Sequence, residues 1–448
     1  MVTINDLLKK LKNYSFDEIS LIKKAYDYAN YMHGNQMRQS GEPYITHPLN
    51  VAYILSEIHA DSDTICAALL HDVLEDTNAT KEEIEILFNK DIANLVDGVT
   101  KIAKMNFSSK KEQNLANTRK IITSLKTDVR IIIIKLADRL HNMRTIEFKR
   151  EFKQKENAQE TMELYVPFAY FLGAYKIKNE LEDLALKYLY PNKYNQLKEK
   201  LDNIKEENKK CFQEMLMNVN DLLEDENIIN NIETRTKNIY GVYKQLEEGK
   251  KLEDIHDLLA LKIMVNNVNN CYHTLGLIHS IYKPIHYRFK DYISSPKTNM
   301  YQSLHTTVFG PDEKLVQTQI RTFNMDKIAS YGLTAYWDIN KNDARIKMQK
   351  DLTNNFQFYK YLEEIDEKFD DDEEFNINVK NNLFGNKIYT YTSNGNVVEL
   401  PKGSTLIDFV NKTNPNTEIS NLDILVNNKN TENNYELKTK DRVLVYSK

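Results

Sequence analysis

Along the first part of the chain apolar residues recur at three- and four-residue spacing: Leu7, Leu8 and Leu11, then Val51, Ile54, Leu55 and Ile58, then Leu164, Phe168 and Phe171. That period puts each set on one helix face, and few alternating patterns interrupt it, so residues 1–195 read as an all-α domain. Ser15 before FDE and Thr80 before KEE supply helix N-caps with acids in the first turn. From 196 to about 230 the pattern stays helical but becomes highly charged, as expected of a connecting or packing helix. The period then changes. DLLALKIMV (257–265) reads as an apolar strand led by Asp257, VQTQIRT (316–322) alternates like a strand, and TRTKNIYGVYKQL places Arg235 and Lys237 at the opening of a helix. Residues 196–345 are therefore expected to form an α+β domain, and 346–385, with its acidic run EEIDEKFDDDEE, a solvated linker. Residues 386–448 predict a small β module: a hairpin turning at Asn394-Gly395, a turn at Pro401 to Gly403, a helix, and later strands in ILVNNKN and RVLVYS.

Four polar clusters sit inside the helical region where a core would not choose them: MRQSGEPYITHP (37–48), AALLHDVLEDT (67–77), DGVTK (97–101) and IIIIKLADRLHNMRT (131–145). If 67–77 is one helix, His71 and Glu75 lie four apart, as do Asp72 and Asp76, so an imidazole and three carboxylates share one side. In the last cluster Asp138, His141, Asn142 and Thr145 share a face; its four isoleucines favour a strand at the start, but Leu136, Leu140 and Met143 continue a helical stripe. His47, His71, Asp72 and Asp138 make a mixed imidazole and carboxylate set suited to a divalent transition metal of the manganese or zinc kind. Carboxylates in such apolar company are costly unless paired or ligated. A metal there would acidify water, and Glu75 and Asp76 stand where a proton could be taken or relayed. Arg38, with Ser40 and Asn142, has the chemistry to hold a nucleotide, since a guanidinium pairs with phosphate and stacks on bases. Hydrolysis of a phosphate ester is the reaction class this combination suggests.

Composition narrows this only modestly. A chain of 448 residues implies two to four domains, 41% hydrophobic residues suffice for their cores, and a net charge of −5 excludes a whole-chain basic field for bulk nucleic-acid binding. Cys66, Cys211 and Cys271 lack metal or disulfide spacing, which fits a reducing compartment. The amphipathic start MVTINDLLKKLKNYSF has no leader-like apolar stretch, and no run approaches the roughly 20 apolar residues of a membrane span. A soluble cytoplasmic protein with no membrane partner is expected.

The segments RQSGEPYITHPLNVA, AALLHDVLEDT, LVDGVTK and IKLADRLHNMRT resemble, in order and spacing, the HD-type hydrolase domain of the RelA/SpoT family, which handles the alarmones ppGpp and pppGpp. ETMELYVPFAYFLGAYKIKNELEDL (160–184) resembles the last part of that domain. The resemblance implies Mn2+ on His47, His71, Asp72 and Asp138, Glu75 and Asp76 as catalytic acids, and a nucleotide held by Arg38, Ser40, Asn142 and Thr145, with pyrophosphate removed from the 3′ position. The basic and aromatic stretch YRFKDYISSPKTNMYQSLHTTVFG (287–310), taken with the strands around it, resembles the family's nucleotidyltransferase-like synthetase domain, which moves pyrophosphate from ATP to GDP or GTP. It implies Mg2+ on Asp257, phosphates on Arg235, Lys237, Arg288, Lys290 and Lys297, guanine on Tyr301, and His305 near the reacting nucleotide.

This second domain departs from the family pattern. Gln317 stands where the family has a catalytic Glu, and an amide neither accepts the hydroxyl proton nor binds Mg2+ as a carboxylate does. Asp326 replaces a His, Lys262 an Arg and Tyr287 a Gly, and the later AHW-like element reads AYW at 335–337. The expectation is a hydrolase whose synthetase domain is impaired. The competing expectations are a bifunctional enzyme, in which Glu313 or another acid compensates, and a non-catalytic alarmone sensor. The final module resembles the β-grasp TGS domain; Asn414 near the place of that domain's tRNA-contacting histidine, and the chain's end at Lys448, argue against ribosome or tRNA control.

Overall fold

A computed structural model describes residues 2–103, 128–255, 257–297, 301–332, 387–395, 397–413 and 422–447. The expected linker (346–385), the AYW element and Asn414 lie outside the described residues. The chain forms two compact units, residues 1–356 and 357–448.

The first unit begins with helices α1 (Ile4–Lys10), α2 (Phe16–His33), α3 (Thr46–Glu57), α4 (Ser62–Leu70), α5 (Val73–Asp76), α6 (Lys81–Leu87) and α7 (Lys90–Ala103). It continues with α8 (Val129–Arg144), α9 (Glu151–Glu160), α10 (Val166–Phe171), α11 (Tyr175–Leu189) and the long α12 (Pro191–Asp225). Ser15 and Thr80 do cap α2 and α6, each side chain accepting the backbone N–H three residues on. The isoleucine run is helical throughout: Ile131 to Ile134 are all buried inside α8, so packing on every side overrides their strand propensity. Thr161–Tyr165 forms a π-helical turn between α9 and α10, shifting the register of the Leu164, Phe168 and Phe171 stripe.

A five-stranded sheet of order β1-β2-β5-β4-β3 follows, from β1 (Asn230–Thr236), β2 (Leu259–Val265), β3 (Lys290–Asp291), β4 (Leu304–Phe309) and β5 (Leu315–Thr322). Only β2 and β5 run parallel, with Ala260 opposite Gln317. Helices α13 (Ile239–Glu247), α14 (Val268–Ile281) and α15 (Phe323–Tyr331) complete this half. Cys211, Phe212, Met215 and Val219 of α12 and Cys271 and Ile278 of α14 bury the inner faces of β2, β4 and β5, and all three cysteines are free and buried. Arg235 does not open a helix, as its sequence context suggested. It lies in β1, an exposed edge strand whose residues pair with β2, and the helix starts only at Ile239. The polar alternation of NNIETRT hides the strand because one of its faces meets solvent.

The second unit pairs β6 (Lys387–Tyr391) with β7 (Val397–Pro401) across Gly395, whose φ of +82° suits a tight turn. Helix α16 (Leu406–Thr413) and the sheet β10-β8-β9, from β8 (Leu422–Val426), β9 (Lys429–Asn430) and β10 (Val443–Ser447), share a core around Leu406 and Phe409. A parallel bridge between Tyr391 and Arg442 sets β6 beside the start of β10. Among the described residues no helix is long and apolar enough to cross a membrane.

Candidate metal centre

The stretch 67–77 is not one continuous helix. Helix α4 ends at Leu70, His71 and Asp72 turn, and α5 resumes for four residues. His71 Nδ1 bonds the Ala68 carbonyl at 2.7 Å, an acceptor that an unbroken helix would offer to the Asp72 amide. The break drives the His71 ring into the interior, at 1% exposure, while Glu75 and Asp76 are exposed rather than set in apolar surroundings.

Helices α3 and α8 bring the distant partners. His47 sits in the first turn of α3, Asp138 on α8, and donor atoms of His47, His71 and Asp138 all lie within 4.8 Å of one another. His47 Nε2 is 3.2 Å from Asp138 Oδ1 and 3.7 Å from Asp72 Oδ2. The buried Nε2 of His71 has no hydrogen-bond partner, although Asp72 Oδ1 lies 3.1 Å away. A buried imidazole lone pair without a partner costs free energy that a cation would recover. These residues could hold a metal ion, and the mixed nitrogen and oxygen donors fit a divalent transition metal.

The electrostatics agree with such a set. Burial pushes the His47 imidazole down, favouring the neutral, ligating form, although Asp138 pulls the other way. Burial works against the charge on Asp138, yet Lys135 at 3.3 Å and the neighbouring histidines hold its carboxyl well below the usual range. Asp72 is also lowered, against burial, by His71 and His47.

Three further residues support the set. Tyr44, three residues before His47, places its hydroxyl 3.0 Å from Asp72 Oδ2 and 2.7 Å from Asp76 Oδ2, tying the inner carboxylate to the outer one. Burial and these acids push its phenol far up, so it remains a donor. Lys135 sits one turn before Asp138 on the same helix face, a spacing that could have revealed it. His141, part of the polar face of α8, has its Nδ1 2.8 Å from His47 Nδ1; burial, then His47 and Arg38, push it down to about 3.

Arg38 projects from a tight loop closed by Arg38 N to the Glu42 carbonyl at 2.8 Å, with Ser40 and Gly41 at its tip. It bonds Asn142 Oδ1 at 3.2 Å, and Thr145 bonds the His141 carbonyl at 3.1 Å. Arg38, Asn142 and the metal set are thus brought together.

The sheet half gathers the second set. Arg235 bonds Gln319 Oε1 at 3.2 Å, and Gln319 in turn donates to Gln317 at 2.9 Å. Lys237 pairs with Asp257 at 2.6 Å. Tyr301 and His305 meet at 2.8 Å, and Lys297 lies over the Tyr301 ring at 5.3 Å. Burial, then Lys297 and Arg321, push His305 down to about 3. Lys290 pairs with His305 across β3 and β4, and Arg288 stacks at 5.5 Å on Tyr287. Asp326 occupies itself with Arg321 at 2.6 Å and Lys262 at 3.1 Å.

Residues 25–175 match the HD domain, and residues 234–344 match the region found in RelA/SpoT proteins. The chain is 42% identical, over 99% of its length, to a guanosine-3′,5′-bis(diphosphate) 3′-pyrophosphohydrolase of Aquifex aeolicus (strain VF5), covering 63% of that protein. It is 42% identical over 88% of its length to the bifunctional (p)ppGpp synthase/hydrolase SpoT of Escherichia coli (strain K12), covering 56% of it. This chain belongs to the RelA/SpoT family. A relative named GTP pyrophosphokinase, from Myxococcus xanthus, is 40% identical over 96% of this chain and 57% of its own length. The chain therefore spans 56–63% of the length of these RelA/SpoT relatives. Its two family regions coincide with the helical half that carries the metal set and the sheet half that carries Gln317.

Proposed function

We propose that the chain hydrolyses the 3′-pyrophosphate of ppGpp and pppGpp, giving GDP or GTP and pyrophosphate, at the site between α3, α4 and α8. The observation that carries the reading is the convergence of His47, His71 and Asp138 around a buried Nε2 that nothing else satisfies. These residues, with Asp72, would hold Mn2+, which supplies Lewis acidity toward phosphoryl oxygen and makes water easier to deprotonate. Arg38 engages phosphate or base, while Ser40, Asn142 and Thr145 hold the nucleotide around it. Glu75 and Asp76, exposed about one turn beyond His71 and Asp72, accept the proton of the attacking water and return one to the 3′ oxygen as its bond to phosphorus breaks. Tyr44 holds Asp76 at the site.

In the sheet half Asp257 and the bases Arg235, Lys237, Arg288, Lys290 and Lys297 retain the means to bind Mg2+ and a triphosphate, with Tyr301 on guanine and His305 beside the reacting nucleotide. With Gln317 in the base position, synthesis from ATP and GDP or GTP is impaired. The adjacency of β6 and β10 gives the second unit the strand order β7-β6-β10-β8-β9, which supports a β-grasp, TGS-type module. The domain limits proposed are 1–195, 196–345 and 386–448 with the linker between, in a cytoplasmic enzyme.

Chelator-stripped protein should leave 3′-labelled ppGpp intact, and added Mn2+ should restore pyrophosphate release. Persistence of ppGpp with folded, Mn2+-loaded protein would sink the reading.

A further inference from the structure

The two histidines of the metal set are oriented by different means. His71 Nδ1 faces the Ala68 carbonyl, which can only accept, so the ring proton sits on Nδ1 and the Nε2 lone pair points into the cluster. His47 has no such carbonyl. Its Nδ1 faces another imidazole, His141 Nδ1, at 2.8 Å, and two isolated imidazoles share a proton equally well in either direction. Only one direction leaves His47 Nε2 with a lone pair for a metal.

Arg38 breaks the tie. Its Nη1 lies 3.2 Å from His141 Nδ1, and a guanidinium can only donate. His141 Nδ1 is therefore the acceptor, His47 Nδ1 carries the proton, and His47 Nε2 is left to ligate. The other nitrogen, Nη2, donates to Asn142 Oδ1 at 3.2 Å, which turns the Asn142 amide so that its Nδ2 donates to Asp138 Oδ1 at 2.6 Å. One guanidinium thereby sets the polarity of two short hydrogen-bond relays, each ending on a ligand.

We propose that Arg38 and His141 are positioning residues for the metal ligands, with Arg38 as a fork that orients His47 through His141 and Asp138 through Asn142. This rests on the metal reading above but assigns Arg38 a role that needs no nucleotide. Partners of this kind typically contribute about 10- to 100-fold in metal affinity.

The test is Mn2+ binding to nucleotide-free protein, read by electron paramagnetic resonance of the free ion. Arg38→Met and His141→Leu should each weaken binding by about 10- to 100-fold. His141→Asn, which keeps an acceptor near the Nδ1 position, should stay within a few-fold of the unaltered protein. Arg38 is only half-buried, so its variant carries the test if the leucine variant does not fold. Folded variants that bind Mn2+ as tightly as the unaltered protein would overturn the fork, as would an asparagine variant as weak as the leucine one. An unaltered protein that binds no Mn2+ would overturn the metal reading itself.

Discussion

Lys135 and Asp138 form an ion pair 12% and 15% exposed, so each charge depends on the other. Removing one partner of such a pair typically costs about 3–5 kcal/mol, because the survivor is stranded. Lys135→Met should therefore lower the thermal stability of the metal-free protein by about that amount, and Mn2+ should recover most of it by taking over the charge of Asp138. Melting curves with and without Mn2+ decide this; a loss unchanged by the metal would place Asp138 outside any metal set. At Gln317 the expectation runs the other way. Gln317→Glu places a carboxylate on β5 opposite Ala260, and synthesis of ppGpp from ATP, GDP and Mg2+ should rise by about 10²-fold. Unchanged synthesis would show that the amide is not what limits this half. His47, His71, Asp72 and Asp138 were legible because charged and imidazole residues in apolar helices demand a reason. Tyr44 was not, and His141 showed only as one member of a polar face, since a histidine or tyrosine satisfies a core as readily as a site, and only their partners distinguish the two.

The helical period located most of the elements, but not where they break. The turn at His71 and Asp72 comes from a side chain taking a backbone acceptor, and the π-turn at Thr161–Tyr165 inserts a residue into a stripe that otherwise reads as regular. Strand β1 was hidden because an edge strand with polar faces has no hydrophobic alternation to show. One glycine marks a junction the pattern also missed. Gly332 ends α15 at φ +63°, and a Cβ there would overlap the Leu172 carbonyl and the Gly173 backbone at the end of α10. Gly332→Ala should cost more than about 1 kcal/mol, since both the conformation and the space are lost. A denaturation midpoint equal to that of the unaltered protein would contradict this close approach.

Within the first unit the helical and sheet halves are joined by specific contacts rather than a bare linker. Asp183 of α11 accepts the backbone N–H groups of Ile239 and Tyr240 at 3.2 and 2.8 Å, supplying from another element the cap that α13 lacks at Asn238. Tyr175, at the start of α11, packs edge-on against Tyr301 with ring centroids 6.3 Å apart. The two halves differ in completeness. The helical one holds every residue its proposed chemistry needs, whereas the sheet one carries an amide, Gln317, at the position proposed for its catalytic base. The hydrolysis proposed for the HD site depends on its ligands. Its most direct test is single-turnover hydrolysis of ppGpp with Mn2+ by the unaltered protein and by Asp72→Ala. Release of GDP and pyrophosphate by the former and none by the folded variant is the predicted result, and equal release by both would contradict it.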